Sequence, residues 1–225
     1  MKELPFDPYD FFGYIASGLV LVVLAQLIFG FPKVFGTDLK LFDTAVIILA
    51  VYVAGQLVAG PAKLLFEDLL VHRLLQSPTR NLLRTDASLA LKIFFPGFYT
   101  PLPPLVRAQI AAKLSPLSPQ QKDVEEIFLK IRYSPSVLSN ERLMAKIDMF
   151  RDQYGFARNV SFSILFAAIC LGVTANIKGD RTLFHYAIAA SVAGILLLYR
   201  FLKFYRQYSY ELFNSYAQIA EKGTS

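Results

Sequence analysis

The chain has 225 residues, of which 55% are hydrophobic and only 18% charged, with a formal net charge of +6 and a pI of about 9.3. Soluble domains carry about 25% charged residues, so this composition argues against an ordinary water-soluble globule. A lone cysteine, Cys170, excludes an intramolecular disulfide, and no Cys/His spacing typical of a metal site is present.

In chain order, the leader carries Glu3, Asp7 and Asp10 against Lys2, which is not the basic n-region of a cleaved signal peptide. The apolar run that follows, 11–32, therefore reads as a retained anchor. Three more runs, 44–62, 159–177 and 182–199, likewise contain no Asp, Glu, Lys or Arg. A bilayer core takes roughly 20 apolar residues of helix, with a lower limit of about 17, and soluble core helices rarely run so far without a solvated face. The predicted fold is an all-α integral membrane protein with four transmembrane helices arranged as two hairpins. The hairpins occupy 1–62 and 159–199, a helical cytoplasmic block occupies 63–158, and a basic-aromatic tail occupies 200–225. Trp is absent, so the twelve Tyr and twenty Phe must serve as interfacial aromatics.

Orientation follows from Lys and Arg close to the spans. Only Lys33 and Lys40 lie between the first two spans, and only Lys178 and Arg181 between the last two. The central block begins with Lys63, Arg73, Arg80 and Arg84 and ends with Arg142, Lys146, Arg151 and Arg158. Arg200, Lys203 and Arg206 then follow the fourth span directly. The block and both termini are therefore predicted to be cytoplasmic. Phe31-Pro32-Lys33, Gly36-Thr37-Asp38 and Asn176–Asp180 are read as the outward-facing turns.

Beyond Gly60-Pro61 an amphipathic pattern continues through Leu64, Leu65, Leu69, Val71, Leu74 and Leu75, with a kink expected at the proline. Ser77-Pro78 reads as an N-cap followed by proline at the first helical position. A helix is expected from Asp86 to Phe95, and a loop through Pro101-Leu102-Pro103-Pro104. Ser118-Pro119-Gln120-Gln121 has the form of a capping box opening a helix to about Arg132. Ser134-Pro135-Ser136 ends that helix, and another, from about Ser139, feeds into the third span.

Candidate chemistry is sparse. His72 and His185 lack a second ligand at helical spacing and read as interfacial side chains. The Arg181/His185 pair does not read as a ribonuclease site, because the charge rule places it outside. Asp148 and Asp152 lie one turn apart, with Lys146 and Arg151 beside them for ordinary pairing. No nucleophile elbow, Walker loop or GxGxxG is present, and no cofactor or metal is implied. Excess positive charge next to apolar spans favours anionic lipid over nucleic acid. Arg158, Arg200, Lys203 and Arg206 are therefore the expected contacts to lipid headgroups or a partner. Polar residues within the spans, Gln56, Ser161, Ser163 and Thr174, are candidates to line a pore. Small residues four apart, Gly13/Ser17, Gly55/Ala59 and Ala168/Gly172, suit close helix packing within one chain or between copies.

Tyr9-Asp10-Phe11-Phe12-Gly13-Tyr14 with Gly18, Tyr154–Asn159 and Arg200–Arg206 resemble segments of small uncharacterised bacterial inner-membrane proteins. Some proteins of that kind accompany anti-phage defence genes as membrane sensors or effectors. The resemblance implies an inner-membrane location and transfers no site residue. Together these readings predict a non-enzymatic homo-oligomer that works with a cytoplasmic protein partner. An ion channel or pore is the first alternative. A membrane enzyme acting on lipid through Glu67, Asp68 or His72 is the second.

Overall fold

Capping chemistry marks where each long helix stops. The computed structural model describes residues 8–30, 41–83, 89–95, 97–114 and 124–219, all helical or connecting segments, with no strand among them. Helix α1 (Pro8–Phe29) ends at Gly30, whose φ of +67° lets its amide bond the Gln26 carbonyl at 3.0 Å. Helix α2 (Leu41–Ala62) contains Pro61, which removes one donor from the hydrogen-bond ladder. From Lys63 to Leu75 the chain continues as a wider π-helix with i→i+5 bonding. The kink expected at Pro61 thus takes the form of a change of helix type. The π-helix stops at Gln76, the one non-glycine residue with positive φ (64°) among the described residues.

Short helices follow: α3 (Pro78–Leu83), α4 (Leu89–Phe94), α5 (Pro104–Leu114), α6 (Val124–Arg132) and α7 (Pro135–Leu138). Ser77 caps α3, its Oγ accepting from the Arg80 amide at 3.4 Å. Helix α5 corrects the sequence reading, which took the proline run as loop throughout. Pro104 is instead a first-turn proline, whose missing N–H costs a helix nothing at that position. Ser134-Pro135 likewise ends one helix and opens the single turn of α7. The turn 31–40, the start of the helix expected at Asp86 and the capping box 118–121 lie outside the described residues.

Helices α8 (Glu141–Lys178) and α9 (Arg181–Gln218) contain 38 residues each. At about 1.5 Å per residue each is about 57 Å long, nearly twice a bilayer core of about 30 Å. Asn140 caps α8, its Oδ1 accepting from the Leu143 amide at 3.1 Å. Between α8 and α9, Gly179 takes φ +66° and Asp180 Oδ1 accepts from the Thr182 and Leu183 amides at 2.8 and 3.3 Å. Four helical stretches are long and apolar enough to cross a membrane: Phe11–Phe29, Phe42–Leu83, Glu141–Lys178 and Arg181–Gln218.

The chain divides into two compact units, 1–70 with 152–201, and 71–151 with 202–225. In the first, α1 and α2 run antiparallel at backbone contact, with Gly18 against Val51 and Gly55 against Tyr14. Leu24 of α1 packs with Ala167, Leu171 and Ala175 of α8 and with Leu183 and Ala187 of α9. Small side chains on α8 and α9 let these helices approach closely, as apolar lipid-solvated bundles require. In the second unit, Leu82, Leu102, Ile110, Ile131, Leu143, Ile147, Leu212 and Phe213 form the core. That core has the ordinary soluble pattern, with apolar side chains inward.

Candidate functional site

The first unit is apolar on the outside, and a few polar side chains are buried within its apolar core. Leu49, Leu57, Ile169, Ile177 and Leu196 are all more than 60% exposed, whereas Ser17, Ser161 and Ser163 have no exposure at all. Ser17 Oγ donates back to the Gly13 carbonyl at 2.8 Å. Ser161 Oγ donates to the Gly194 carbonyl at 2.8 Å and so ties α8 to α9. Each bond satisfies a hydroxyl that lipid would leave unpaired, at several kcal/mol in hydrocarbon. Ser163 Oγ is buried with no hydrogen-bond partner.

The strongest electrostatic feature of this unit joins the π-helix to α8. Arg158 Nη1 donates to Glu67 Oε1, with side-chain exposures of 15% and 10%. Arg158 Nε also donates to Asn159 Oδ1 at 3.0 Å. Glu67 follows from the π-helix geometry. Ala62, Glu67, Val71 and Leu75 are buried at spacings of four and five, and the intervening Leu64, Leu65 and Asp68 are exposed. Sequence reading gave Arg158 to lipid headgroups or a partner, and nothing local betrays the Glu67 carboxylate 91 residues away. A carboxylate within the leucine-rich 64–75 stretch was the available signal.

The remaining predicted residues are distributed as follows. Gly13 lies against Phe156, 3.5 Å from where a Cβ would stand, and Gly55 lies against the Tyr14 backbone. Ala168 is buried, Ala59 and Gly172 are half-buried, and a Cβ on Gly172 would meet that of Ala187 at 3.8 Å. Gly13, Gly55 and Gly172 therefore lie against this chain's own helices. Gln56 is exposed and donates to Tyr52 Oη at 2.9 Å. Thr174 is half-buried and bonds the Cys170 carbonyl at 2.8 Å. Gln56 thus lies on an outer face while Ser161 and Ser163 lie inside, so the four pore candidates do not share a surface in the single chain.

Of the tail bases, Arg200 and Lys203 are exposed. Arg206 is half-buried, donates from Nη2 to the Thr100 carbonyl at 2.8 Å and covers the Tyr210 ring at 5.5 Å. It is a structural member of the second unit. Asp148 pairs with both Arg132 and Arg151 at 3.2 Å, and Lys146 pairs with Glu211 at 2.7 Å. His72 Nε2 lies 3.2 Å from Tyr205 Oη. Two features of the second unit escaped sequence reading. Lys113 Nζ caps the end of α9, donating to the Tyr216, Ala217 and Ile219 carbonyls, the first two at 2.9 and 3.1 Å. Tyr99 Oη and Asn81 Nδ2 close the end of the π-helix on the Leu75 carbonyl at 2.8 and 3.3 Å. Burial pushes the Tyr99 phenol up from its ordinary value, which keeps it a donor. Among the described residues no group of three or more His, Cys, Asp or Glu is placed to hold a metal ion.

Comparison with protein-family models, with curated proteins and with solved structures finds no match.

Proposed function

We propose that this is a non-enzymatic multipass protein of the bacterial inner membrane that acts as a homo-oligomer together with a cytoplasmic protein partner. In this reading the four long helices cross the bilayer as two hairpins, and the block 63–158 and both termini face the cytoplasm. One observation carries it. Large apolar side chains stand exposed on the outer faces of all four long helices, among them Phe29, Leu57, Ile169 and Leu196. In water such a surface would be an aggregation liability, and only lipid or another membrane-embedded helix solvates it. Oligomerisation is supported by how little of each span is buried within the chain, 17–39% of its most apolar window. The resemblance of the segments around residues 9–14, 154–159 and 200–206 extends the proposal to a membrane sensor or effector working beside anti-phage defence genes.

The test is mass determination in nanodiscs, with crosslinking through cysteines placed on exposed positions of α2 and α9. A species of two or more copies is expected, and a monomer in both nanodiscs and mild detergent would count heavily against the assembly. A pore formed by several copies is the second reading, and Gln56 favours it. This amide stands on the outer face of α2 beside exposed Val53 and Leu57, where a facing copy would offer it a further bond. Ion flux in liposomes that disappears on Gln56→Leu would favour the pore over the partner-coupled oligomer.

A further inference from the structure

The wide winding of the π-helix does not come from its own residues. Such winding is mostly confined to single turns inside α-helices, often at functional sites, yet here it runs for 13 residues. Lys63–Leu75 contains six leucines and neither glycine nor proline, a composition suited to ordinary α winding. Contacts from outside hold it instead. Pro61 interrupts the hydrogen-bond ladder where the segment begins, and Tyr99 and Asn81 close its end on the Leu75 carbonyl. Within the first unit, the Phe66 ring lies 5.9 Å from Phe162 and 6.1 Å from Phe201. Next to it the buried Glu67 carboxylate accepts from Arg158, whose Nε is steadied by Asn159 Oδ1 at 3.0 Å.

Alpha winding continued from Ala62 would place these side chains differently. Glu67, five residues on, would swing about 140° from the buried Ala62 face, at 3.6 residues per turn. Leu65 and Leu69, three and seven residues on, would come within about 60° and 20° of that face, and Phe66 would stay on it. In the π-helix Leu64 and Leu65 are 56% and 43% exposed and Leu69 is half-buried. Alpha winding thus exchanges a buried carboxylate for two leucines. It would bring Arg73 inward three turns from Ala62, so the exchange ends before that residue. The two compact units divide there, between Leu70 and Val71. We propose that residues 63–70 form a latch with two windings, held wide by the Glu67–Arg158 pair and rewinding as α-helix when Arg158 releases the carboxylate. Paired, Glu67 anchors the segment to α8. Unpaired, it is a buried charge without compensation, which is strongly unfavourable, and α winding returns it to the surface while Phe66 keeps its place. The latch depends on neither the orientation of the spans nor the number of copies.

Single cysteines at Leu64, Leu65 and Leu69, in a full-length Cys170→Ala chain in mild detergent, are followed with a water-soluble thiol dye. In the parent the thiols at 64 and 65 should react readily and the thiol at 69 more slowly. In Arg158→Met the thiols at 65 and 69 should lose reactivity. The thiol at 64 should keep it, because that position faces outward in either winding. Arg158→Met combined with Glu67→Leu removes the buried charge together with its partner, and should retain the parent pattern. An unchanged pattern in Arg158→Met alone would overturn the latch and leave the pair a fixed tie. Equal, fast reaction at all three positions would overturn it as well, since the segment would then unfold rather than rewind. Protection at 65 and 69 in the combined variant would do the same, because no buried carboxylate remains there to drive the change.

Discussion

Adding one methyl group to Gly18 or Gly55 should separate α1 from α2, although the same change at Gly60 or Gly155 should do no harm. A Cβ on Gly18 would overlap the Val51 carbonyl oxygen and come within 2.8 Å of the Gly55 nitrogen. One on Gly55 would overlap the Tyr14 carbonyl and lie 2.8 Å from the Tyr14 Cα. Ordinary contacts sit at about 3.5–4.0 Å, so the helices must part by roughly 1.5–2 Å, which forfeits at least half of each dispersion well across the seam. Overpacking of this kind costs about 1–3 kcal/mol, and backbone atoms cannot rotate out of the way. Alanine in a helix otherwise gains about 1 kcal/mol over glycine. Beside Gly60 and Gly155 nothing lies within 4 Å among the described residues, so alanine there should be neutral or stabilising. The sign should therefore reverse between the two pairs. Cys170, half-buried and the only thiol, reports unfolding through a thiol-reactive dye. At roughly 2–4 °C per kcal/mol for chains of this size, Gly18→Ala and Gly55→Ala should each melt several degrees below the parent. Equal melting temperatures for Gly18→Ala, Gly55→Ala and Gly60→Ala would refute the close approach.

Other expectations use the same dye assay. Glu67→Ala should cost about 3–5 kcal/mol by stranding the Arg158 guanidinium, and the paired change Glu67→Gln with Arg158→Met should restore much of it. A double variant whose loss equals the sum of the two single losses would show that the two side chains act independently. Arg206→Gln should lower the melting temperature even in neutral detergent, because it removes the bond to the Thr100 carbonyl. Lys203→Gln, at an exposed position, should leave it unchanged and weaken only the preference for anionic lipid, by about 1 kcal/mol. Lys113→Met should free the end of α9, read as faster proteolysis near residue 218 with the remainder of the chain intact.

The long helices were legible because hydrocarbon tolerates so few charges. Four charge-free runs mark them, and the turn between the last two shows in Gly179 and Asp180, whose cap geometry the structure displays. Ser77-Pro78 opened a helix for the same local reason. Pairings across the chain were not legible. Glu67 and Arg158 are far apart in sequence, and Gly18 looks like any small residue until Val51 is placed beside it. The π-helix left no trace either, since i→i+4 and i→i+5 bonding suit similar compositions and leucines at 64, 65, 69 and 74 fit both. Arg206 read as a contact to headgroups or a partner because its spacing from Arg200 and Lys203 is regular, and the Thr100 carbonyl and Tyr210 ring beside it could not be read from that spacing.

Sidedness tests the central claim most directly. In the Cys170→Ala background, single cysteines at Thr182, near the start of α9, and at Lys130, in α6, would be exposed to a membrane-impermeant thiol reagent. Thr182 is preferable to Gly179, where the positive φ disfavours any side chain. In intact cells the residue-182 thiol should react and the residue-130 thiol should react only after permeabilisation. Reaction at 130 with protection at 182, or equal reaction at both, would contradict a four-span protein whose central block faces the cytoplasm.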